Sequence, residues 1–378
     1  MKFSHRSSSS LAVLALGLLL QGGVWAQGAK PEASVKVTLL ASPDAVGQNG
    51  LGDEIQIMTQ AVIDDYNDAH TGPNIELQVL DSKNTDEKTL AKEAAGSIAI
   101  LSCVGKTNCL MQAGVAKALD IPLIGPMSGD ESLRGKDMGL VFPVRPSDVE
   151  ALTEGLSSLS TMRIRKLGVL VQDDDYGKSL AADLAQLKLP DGLAVVATEK
   201  INQKTDFNGM TARLQRAGVT AVLILSDDVP TASALVGYWN MRRKTAEAYT
   251  PVLMHLDGLA LPAYADKVAG YPGGAMFVTV VPNPWGGRRQ AQRDYQQLAQ
   301  SKGIYRASYG SLEAYINARL LVTAVRNGKA TTAAKLVQYL RAAPISLGGL
   351  SVRYTAGKST STGFIDQAVL GPDGAFRH

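Results

Sequence analysis

IAILSCVGKTNCLMQAGVAKALDIPLIGPMSGDESLR, residues 98–134, is the stretch of sequence that decides the fold. Two short apolar runs, 98–101 and 121–124, each end in small polar residues, and an amphipathic segment, 107–118, lies between them. This pattern predicts a strand, a helix and a second parallel strand. The small residues then lie at the carboxyl ends of the strands, the edge at which open α/β sheets bind ligands. We therefore interpret residues 98–134 as half of a ligand site.

The alternation of strand and helix continues through most of the chain. It starts near Val35, stops at residues 141–147, where two prolines cannot continue a helix or a central strand, and begins again in the capping box of Ser147 and Glu150. Two such series in 378 residues predict an α/β fold of two doubly wound parallel-sheet lobes with a cleft between them.

The C-terminal part predicts that the chain crosses between these lobes three times, which would make a hinge. Helical patterns at 288–301, 311–327 and 331–341 have no strands between them and must cover a sheet that already exists. The predicted division is a signal peptide at 1–26, lobe 1 at 33–145 and 282–346, and lobe 2 at 146–281 and 347–378.

The N-terminus predicts export to the periplasm. Lys2 and Arg6 precede the apolar run 11–20, and Val24 and Ala26 supply the small residues of a secretory cleavage site. The formal charge of +3 includes Lys2 and Arg6, so the exported chain carries about +1. This balance gives no reason to expect nucleic acid or an anionic membrane as a partner, and we expect a monomer.

The only two cysteines, Cys103 and Cys109, bracket the first predicted ligand loop. Export favours their pairing, and a disulfide between them would hold residues 104–108 in shape. The sequence leaves open whether the bridge forms.

The sequence motifs that would indicate an enzyme are incomplete or absent. Gly105-Lys106-Thr107 imitates the end of a phosphate loop, but the required first glycine is replaced by Ile100. Of the four histidines, one would leave with the signal peptide and one is at the terminus; the two others are scattered and make neither a metal site nor a catalytic pair. The nucleophile elbow of hydrolases is absent from the sequence. We expect no catalytic residue, no metal and no cofactor.

A series of motifs resembles one known family. They are, in chain order, 42–47 (SPDAVG), 104–107 (VGKT), 125–129 (GPMSG), 141–145 (VFPVR), 174–177 (DDYG), 205–207 (TDF), 309–315 (YGSLEAY) and 373–376 (DGAF). Together and in this order they resemble a type I periplasmic binding protein, more narrowly the branched-chain amino acid (Leu/Ile/Val) group of ABC transporter substrate-binding proteins.

The resemblance implies how an amino acid would be held. The positions that match those for the α-carboxylate are Gly105, Lys106, Thr107, Ser128 and Gly129. Tyr176 matches an aromatic residue that packs on the ligand, and Asp257 matches the acid that takes its ammonium. The chain departs from the pattern at Asp227 and at Val46. Two acids in one cleft would suit a ligand with more than one cationic group.

Each of these side chains also has an interpretation without a ligand. Tyr176 follows three aspartates that favour a strand-to-helix turn, Asp227 could cap the next helix, and Asp257 precedes a glycine in a good turn dipeptide. Lys106 could face solvent. Glu313 lies near a predicted helix start, where the dipole favours acids, so we do not assign it to the site.

The function that we expect is that of an exported receptor in an ABC importer. It would bind an amino acid or a related small carboxylate between its lobes, close around it and dock on a membrane permease. Two alternatives stay open: a periplasmic sensor module that passes closure to a signalling receptor, and a secreted hydrolase on a similar scaffold.

Overall fold

A computed structural model describes residues 34–41, 51–246, 248–304, 307–355 and 358–378. The predicted signal peptide and the loop 42–47, which includes Val46, lie outside the described residues. Among the described residues, no helix has the length and apolar composition of a membrane span.

Lobe 1 is built on a five-stranded parallel sheet in the order β2-β1-β3-β4-β5. Its strands are β1 (Ser34–Ala41), β2 (Asn74–Asp81), β3 (Ser97–Leu101), β4 (Leu123–Ile124) and β5 (Val141–Phe142). Its first helices are α1 (Leu51–Asp68), α2 (Glu87–Glu93) and α3 (Lys106–Ala118). All five residues of β3 are buried because helices cover both faces of the sheet. The strand, helix and strand predicted for residues 98–134 are β3, α3 and β4.

Lobe 2 repeats this plan in a seven-stranded sheet. Its parallel strands, in the order β7-β6-β8-β9-β10, are β6 (Lys166–Gln172), β7 (Ala194–Ile201), β8 (Ala221–Leu225), β9 (Val252–Leu256) and β10 (Ala275–Thr279). Its helices are α4 (Asp148–Thr161), α5 (Asp175–Gln186), α6 (Phe207–Arg216), α7 (Val229–Arg242) and α8 (Pro262–Val268). In both sheets the strand order reverses beside the first strand, which creates a crevice at the carboxyl ends. The predicted two doubly wound lobes are confirmed.

The C-terminal part adds elements to both lobes. They are α9 (Gln290–Ser301), α10 (Tyr309–Gly328), α11 (Ala333–Ala342), β11 (Ile345–Ser346), β12 (Ser351–Thr355), β13 (Lys358–Thr360), β14 (Asp366–Leu370) and β15 (Phe376–Arg377). Helix α10 packs on α1 of lobe 1, whereas β14 and β15 extend the lobe 2 sheet in antiparallel fashion. Strands β11–β13 form a small antiparallel sheet of their own.

The segments that connect the lobes are hydrogen-bonded to one another. The Tyr354 hydroxyl donates to the Pro143 carbonyl at 3.0 Å, and the ring of Tyr354 meets Phe142 edge-on. The Thr362 backbone N–H donates to the Val144 carbonyl at 2.9 Å. These contacts hold β12 and the segment between β13 and β14 against the first crossover. The residue boundaries given for the lobes above stay predictions.

Helix α4 begins directly after the first crossover, in the capping box that the sequence predicts. The Glu150 N–H donates to the Ser147 hydroxyl at 3.2 Å, and the Ser147 N–H donates to the Glu150 carboxylate at 2.7 Å. Two donors that the helix cannot satisfy by itself are thereby paired.

We expect Ser147→Ala to lower the free energy of unfolding by about 1 kcal/mol, since it removes the acceptor of the cap. Urea unfolding measures this loss. Ser157→Ala is the matched control, because Ser157 is exposed on the same helix and its replacement should cost nothing. Equal effects of the two variants would contradict the role of the cap.

Candidate ligand-binding cleft

The carboxyl ends of the two sheets enclose a cavity of about 570 Å³. Its walls come from loops that follow strands of both lobes. Lobe 1 contributes Val104 and Gly105 after β3 and residues 127–129 after β4, and lobe 2 contributes residues 227–230 after β8 and Asp257 after β9. The cavity therefore lies in the crevice that the strand order of both lobes predicts.

Six of the predicted ligand residues line this cavity. They are Gly105, Ser128, Gly129, Tyr176, Asp227 and Asp257. Tyr176 reaches across lobe 2 towards the loop after β9: a Cβ on Gly258 would lie only 3.0 Å from the Tyr176 hydroxyl oxygen. The glycine therefore leaves room for the ring.

Lys106 and Thr107 do not line the cavity. Thr107 is exposed on the first turn of α3. Lys106 Nζ instead lies 2.9 Å from Asp130 Oδ2 and donates to Ser179 Oγ at 2.9 Å. The ligand roles predicted for Lys106 and Thr107 gain no support from this geometry.

The contacts of Lys106 join the two lobes. Ser179 lies on α5 of lobe 2, and its hydroxyl donates to Asp130 Oδ2 of lobe 1 at 2.7 Å. Although burial alone would raise the pKa of Asp130, hydrogen bonds from Lys106, Ser132 and Ser179 lower it to about 2. Asp130 thus stays charged and pairs with both lobes in this arrangement. We call Lys106, Asp130 and Ser179 the interlobe bridge.

A disulfide between Cys103 and Cys109 fixes the lobe 1 loop after β3. Both cysteines are fully buried. Between them Gly105, at φ +74°, precedes the first turn of α3, a backbone conformation that side chains other than glycine rarely adopt. The bridge therefore holds in place the glycine that faces the cavity.

A buried guanidinium lies at the junction of the lobes. Arg145, in the first crossover, forms an ion pair with Asp257 of lobe 2, and its Nη1 lies 3.7 Å from Glu313 Oε2 on α10. Burial alone would lower the pKa of Arg145, but Asp257 and Glu313 raise it above its ordinary value. We call Asp148, Asp257 and Glu313, which line the cavity with Arg145, the hinge carboxylates.

Neighbouring residues hold this cluster in position. Arg134 Nη2 donates to the carbonyls of Arg145 and Pro146 at 3.0 and 2.9 Å, which fixes the backbone of the crossover. The Asp148 N–H donates to the Gly129 carbonyl at 2.9 Å, and a Cβ on Gly129 would lie 2.1 Å from Asp148 Oδ1. Only glycine at 129 lets Asp148 approach this closely.

A second group of acids, the loop carboxylates Asp174, Asp227 and Asp228, lines the lobe 2 side of the cavity. Asp174 caps α5 by accepting from the Gly177 N–H, and Asp228 accepts from the Thr231 hydroxyl at 2.6 Å. Within the part of the chain that the structure describes, no lysine or arginine forms an ion pair with any of the three. The described residues also contain no cluster of His, Cys, Asp and Glu arranged to hold a metal ion.

Sequence reasoning left five of the charged residues that line the cavity out of the site: Arg145, Asp148, Asp174, Asp228 and Glu313. Glu313 lies near the start of α10, as expected, but it is also 4% exposed and faces Arg145 in the cavity, which the helix dipole alone does not explain. One signal could have found Arg145, because a charged residue in the otherwise apolar and proline-bounded run 141–146 needs a buried partner.

Burial raises the pKa of Asp148 to about 7, although Arg145 opposes this shift. Burial likewise raises the pKa of Glu313 to about 7. Because both values lie above those of the unfolded chain, the folded protein holds more protons, and its stability falls as pH rises from about 4 to about 7.

We expect Asp148→Asn to remove part of this pH dependence in the ligand-free protein. The free energy of unfolding of the variant minus that of the wild type should be larger at pH 8 than at pH 5. Urea unfolding of both proteins at both pH values measures this difference. Asp137→Asn, at an exposed position, controls for the loss of a negative charge. A difference between Asp148→Asn and the wild type that does not change with pH would contradict this account.

Comparison of the sequence with known proteins gives a match to one family. Residues 47–368 match the sequence model of a family described as periplasmic binding protein. No protein of curated function matches the chain significantly in sequence.

Solved structures share the fold over nearly their whole length. A substrate-binding periplasmic protein from Ralstonia solanacearum superposes with a TM-score of 0.73 at 23% identity, covering 91% of this chain and 99% of its own. A possible leucine/isoleucine/valine-binding protein from Rhodopirellula baltica SH 1 gives 0.76 at 19% identity, with 92% and 97% covered. An ABC transporter substrate-binding protein of Aeropyrum pernix gives 0.74 at 16% identity, with 92% and 94% covered. At these identities the likeness establishes the fold and leaves the ligand to be argued from the cleft.

Proposed function

Because this chain belongs to the periplasmic binding protein family, we propose that it is the exported solute receptor of an ABC importer and that it binds an amino acid or a related small molecule between its lobes. The observation that carries this proposal is the cavity of about 570 Å³ at the carboxyl ends of both sheets. This volume lies in the range of small-molecule sites, and the cavity's charged side chains come from both lobes and the crossover.

The charges of the cleft support an amino group on the solute. The hinge carboxylates outnumber the guanidinium of Arg145, so a bound ammonium would bring their charge closer to balance. Asp257, predicted from the resemblance to bind the ammonium, already pairs with Arg145. We therefore assign the ammonium to Asp257 acting together with Asp148 and Glu313.

The carboxylate of an amino acid fits the lobe 1 wall. Gly105 immediately precedes α3, and the N-terminus of this 13-residue helix carries partial positive charge. Ser128 and Gly129 line the adjoining wall and would add a hydroxyl and backbone groups. Tyr176, from lobe 2, would cover the solute from the opposite side.

Closure of the lobes on the solute would present a new surface to a membrane permease. The solute would favour the closed form because it touches both lobes only there. The interlobe bridge of Lys106, Asp130 and Ser179 supports such a closed form, since it needs the lobes in contact. Export through a signal peptide at 1–26 and delivery to the periplasm complete the proposal.

Thermal unfolding of residues 27–378 against a panel of amino acids, amines and carboxylates tests the receptor role. A solute at 100 times its Kd should stabilise the protein by about 2.7 kcal/mol. We expect Tyr176→Ala to weaken binding of that solute by 10-fold or more, and Tyr238→Ala, which changes a lobe 2 tyrosine outside the cavity, to leave binding unchanged. If no solute of the panel raised the unfolding temperature of the wild type, the result would contradict the proposal.

The interlobe bridge gives a separate prediction about closure. Ser179→Ala should weaken the affinity for any bound solute by about 2- to 10-fold, since it removes the hydroxyl that links the lobes. Surface plasmon resonance should place most of this loss in the dissociation rate.

Lys106→Met should match Ser179→Ala in size, and Lys178→Met, an exposed lysine on α5, should have no effect. A much larger loss in Lys106→Met, confined to solutes with a carboxylate, would instead restore the direct ligand contact that the family resemblance implies for Lys106.

A further inference from the structure

The cavity contains more negative charge than one amino group would balance. Six carboxylates and one guanidinium are contributed by the described residues that line it. They fall into two sets at different parts of the wall, the hinge carboxylates around Arg145 and the loop carboxylates around Asp227. The inference drawn from this distribution rests on the solute-receptor function proposed above.

The hinge carboxylates leave one polar atom without a partner. Glu313 is 4% exposed, yet its Oε1 accepts no hydrogen bond, and Arg145 lies against Oε2 at 3.7 Å. A buried carboxylate without a full set of donors is costly, so positive charge brought by a ligand to the cavity side of Glu313 would stabilise it. The hinge carboxylates are therefore the place that we assign to the first cationic group.

The loop carboxylates form a set that Arg145 does not neutralise. Asp174 and Asp228 have structural roles as acceptors at the starts of α5 and α7, as described above. Asp227 has no such role, and its side chain is open to the cavity. The surrounding protein and the neighbouring Asp174 and Asp228 raise the pKa of Asp227 to about 6. A cation beside Asp227 would favour its charged form against both the burial and the neighbouring negative charges.

We propose that the solute carries two cationic groups on one chain, the first held by the hinge carboxylates and the second by Asp227. The shared chemistry is that of two ammonium groups joined by a short aliphatic linker. A diamino acid and a simple diamine both have it, and they differ in whether a carboxylate also occupies the lobe 1 wall at Gly105. Bare metal ions fit poorly, because the described residues hold no metal-type cluster.

Isothermal titration with matched pairs of solutes tests the proposal. The pairs are L-lysine with L-norleucine, L-ornithine with L-norvaline, and 1,4-diaminobutane with butylamine, and within each pair only the second amino group is absent. We expect at least one dicationic member to bind about 10-fold or more tightly than its partner, the usual value of a charge-assisted hydrogen bond. The pair that responds shows whether the solute needs a carboxylate.

Two outcomes separate this inference from the receptor function. If the monocationic members bind as tightly as or more tightly than their partners, the second cationic group is disproved while the receptor stands. If no member of any pair and no other solute binds, the receptor function fails and the inference fails with it.

Two variants test whether Asp227 binds the second cationic group of the solute. Asp227→Asn should lower the lysine-to-norleucine affinity ratio, or that of the responding pair, by about 10-fold. Asp173→Asn is the matched control, because Asp173 lies in the loop before α5 outside the cavity and pairs with Lys178 and Lys200. It should leave the ratio within about twofold. A ratio that Asp227→Asn leaves unchanged would overturn the assignment to Asp227, and binding of the monocationic partner shows that the variant is folded.

Discussion

The ion pairs of Arg145 are the interactions on which the cleft depends. The guanidinium lies in the first crossover, contacts Asp257 of lobe 2 and faces Glu313 on α10, which packs on lobe 1. A buried charge needs partners, and removing one member of a buried pair typically costs about 3 to 5 kcal/mol. Arg145 thereby determines where the two lobes and the crossover meet, and Arg134 fixes the backbone around it.

The same cluster contains more buried negative charge than its one guanidinium can balance, which lowers the stability of the fold. Three carboxylates surround one guanidinium, and two of them have pKa values raised to about 7 by burial. An apolar junction would be more stable, but it would offer nothing to a charged solute. The cationic solute that we propose would supply the missing positive charge and would thereby couple binding to folding stability through the hinge carboxylates.

Local chemistry explains what the sequence could reveal. The apolar runs of β3 and β4 around α3, and the capping box of Ser147 and Glu150, each depend on residues that are close together in the sequence. The structure contains both. The family resemblance is confirmed, and six of the eight predicted ligand residues line the cavity. Contacts between residues that are far apart in the sequence could not be predicted from it. Arg145 and Asp257 are 112 positions apart, and Lys106 meets Ser179 across 73 positions, so no local pattern signals either pair.

A crystal structure of residues 27–378 with L-lysine most directly tests the central claim that the interlobe cleft recognises a cationic solute. The account predicts lysine between the lobes, with one amino nitrogen within about 3 Å of a hinge carboxylate oxygen and the other within about 3 Å of Asp227. Lysine bound outside the cleft, or bound in the cleft with both amino groups turned away from these carboxylates, would contradict it.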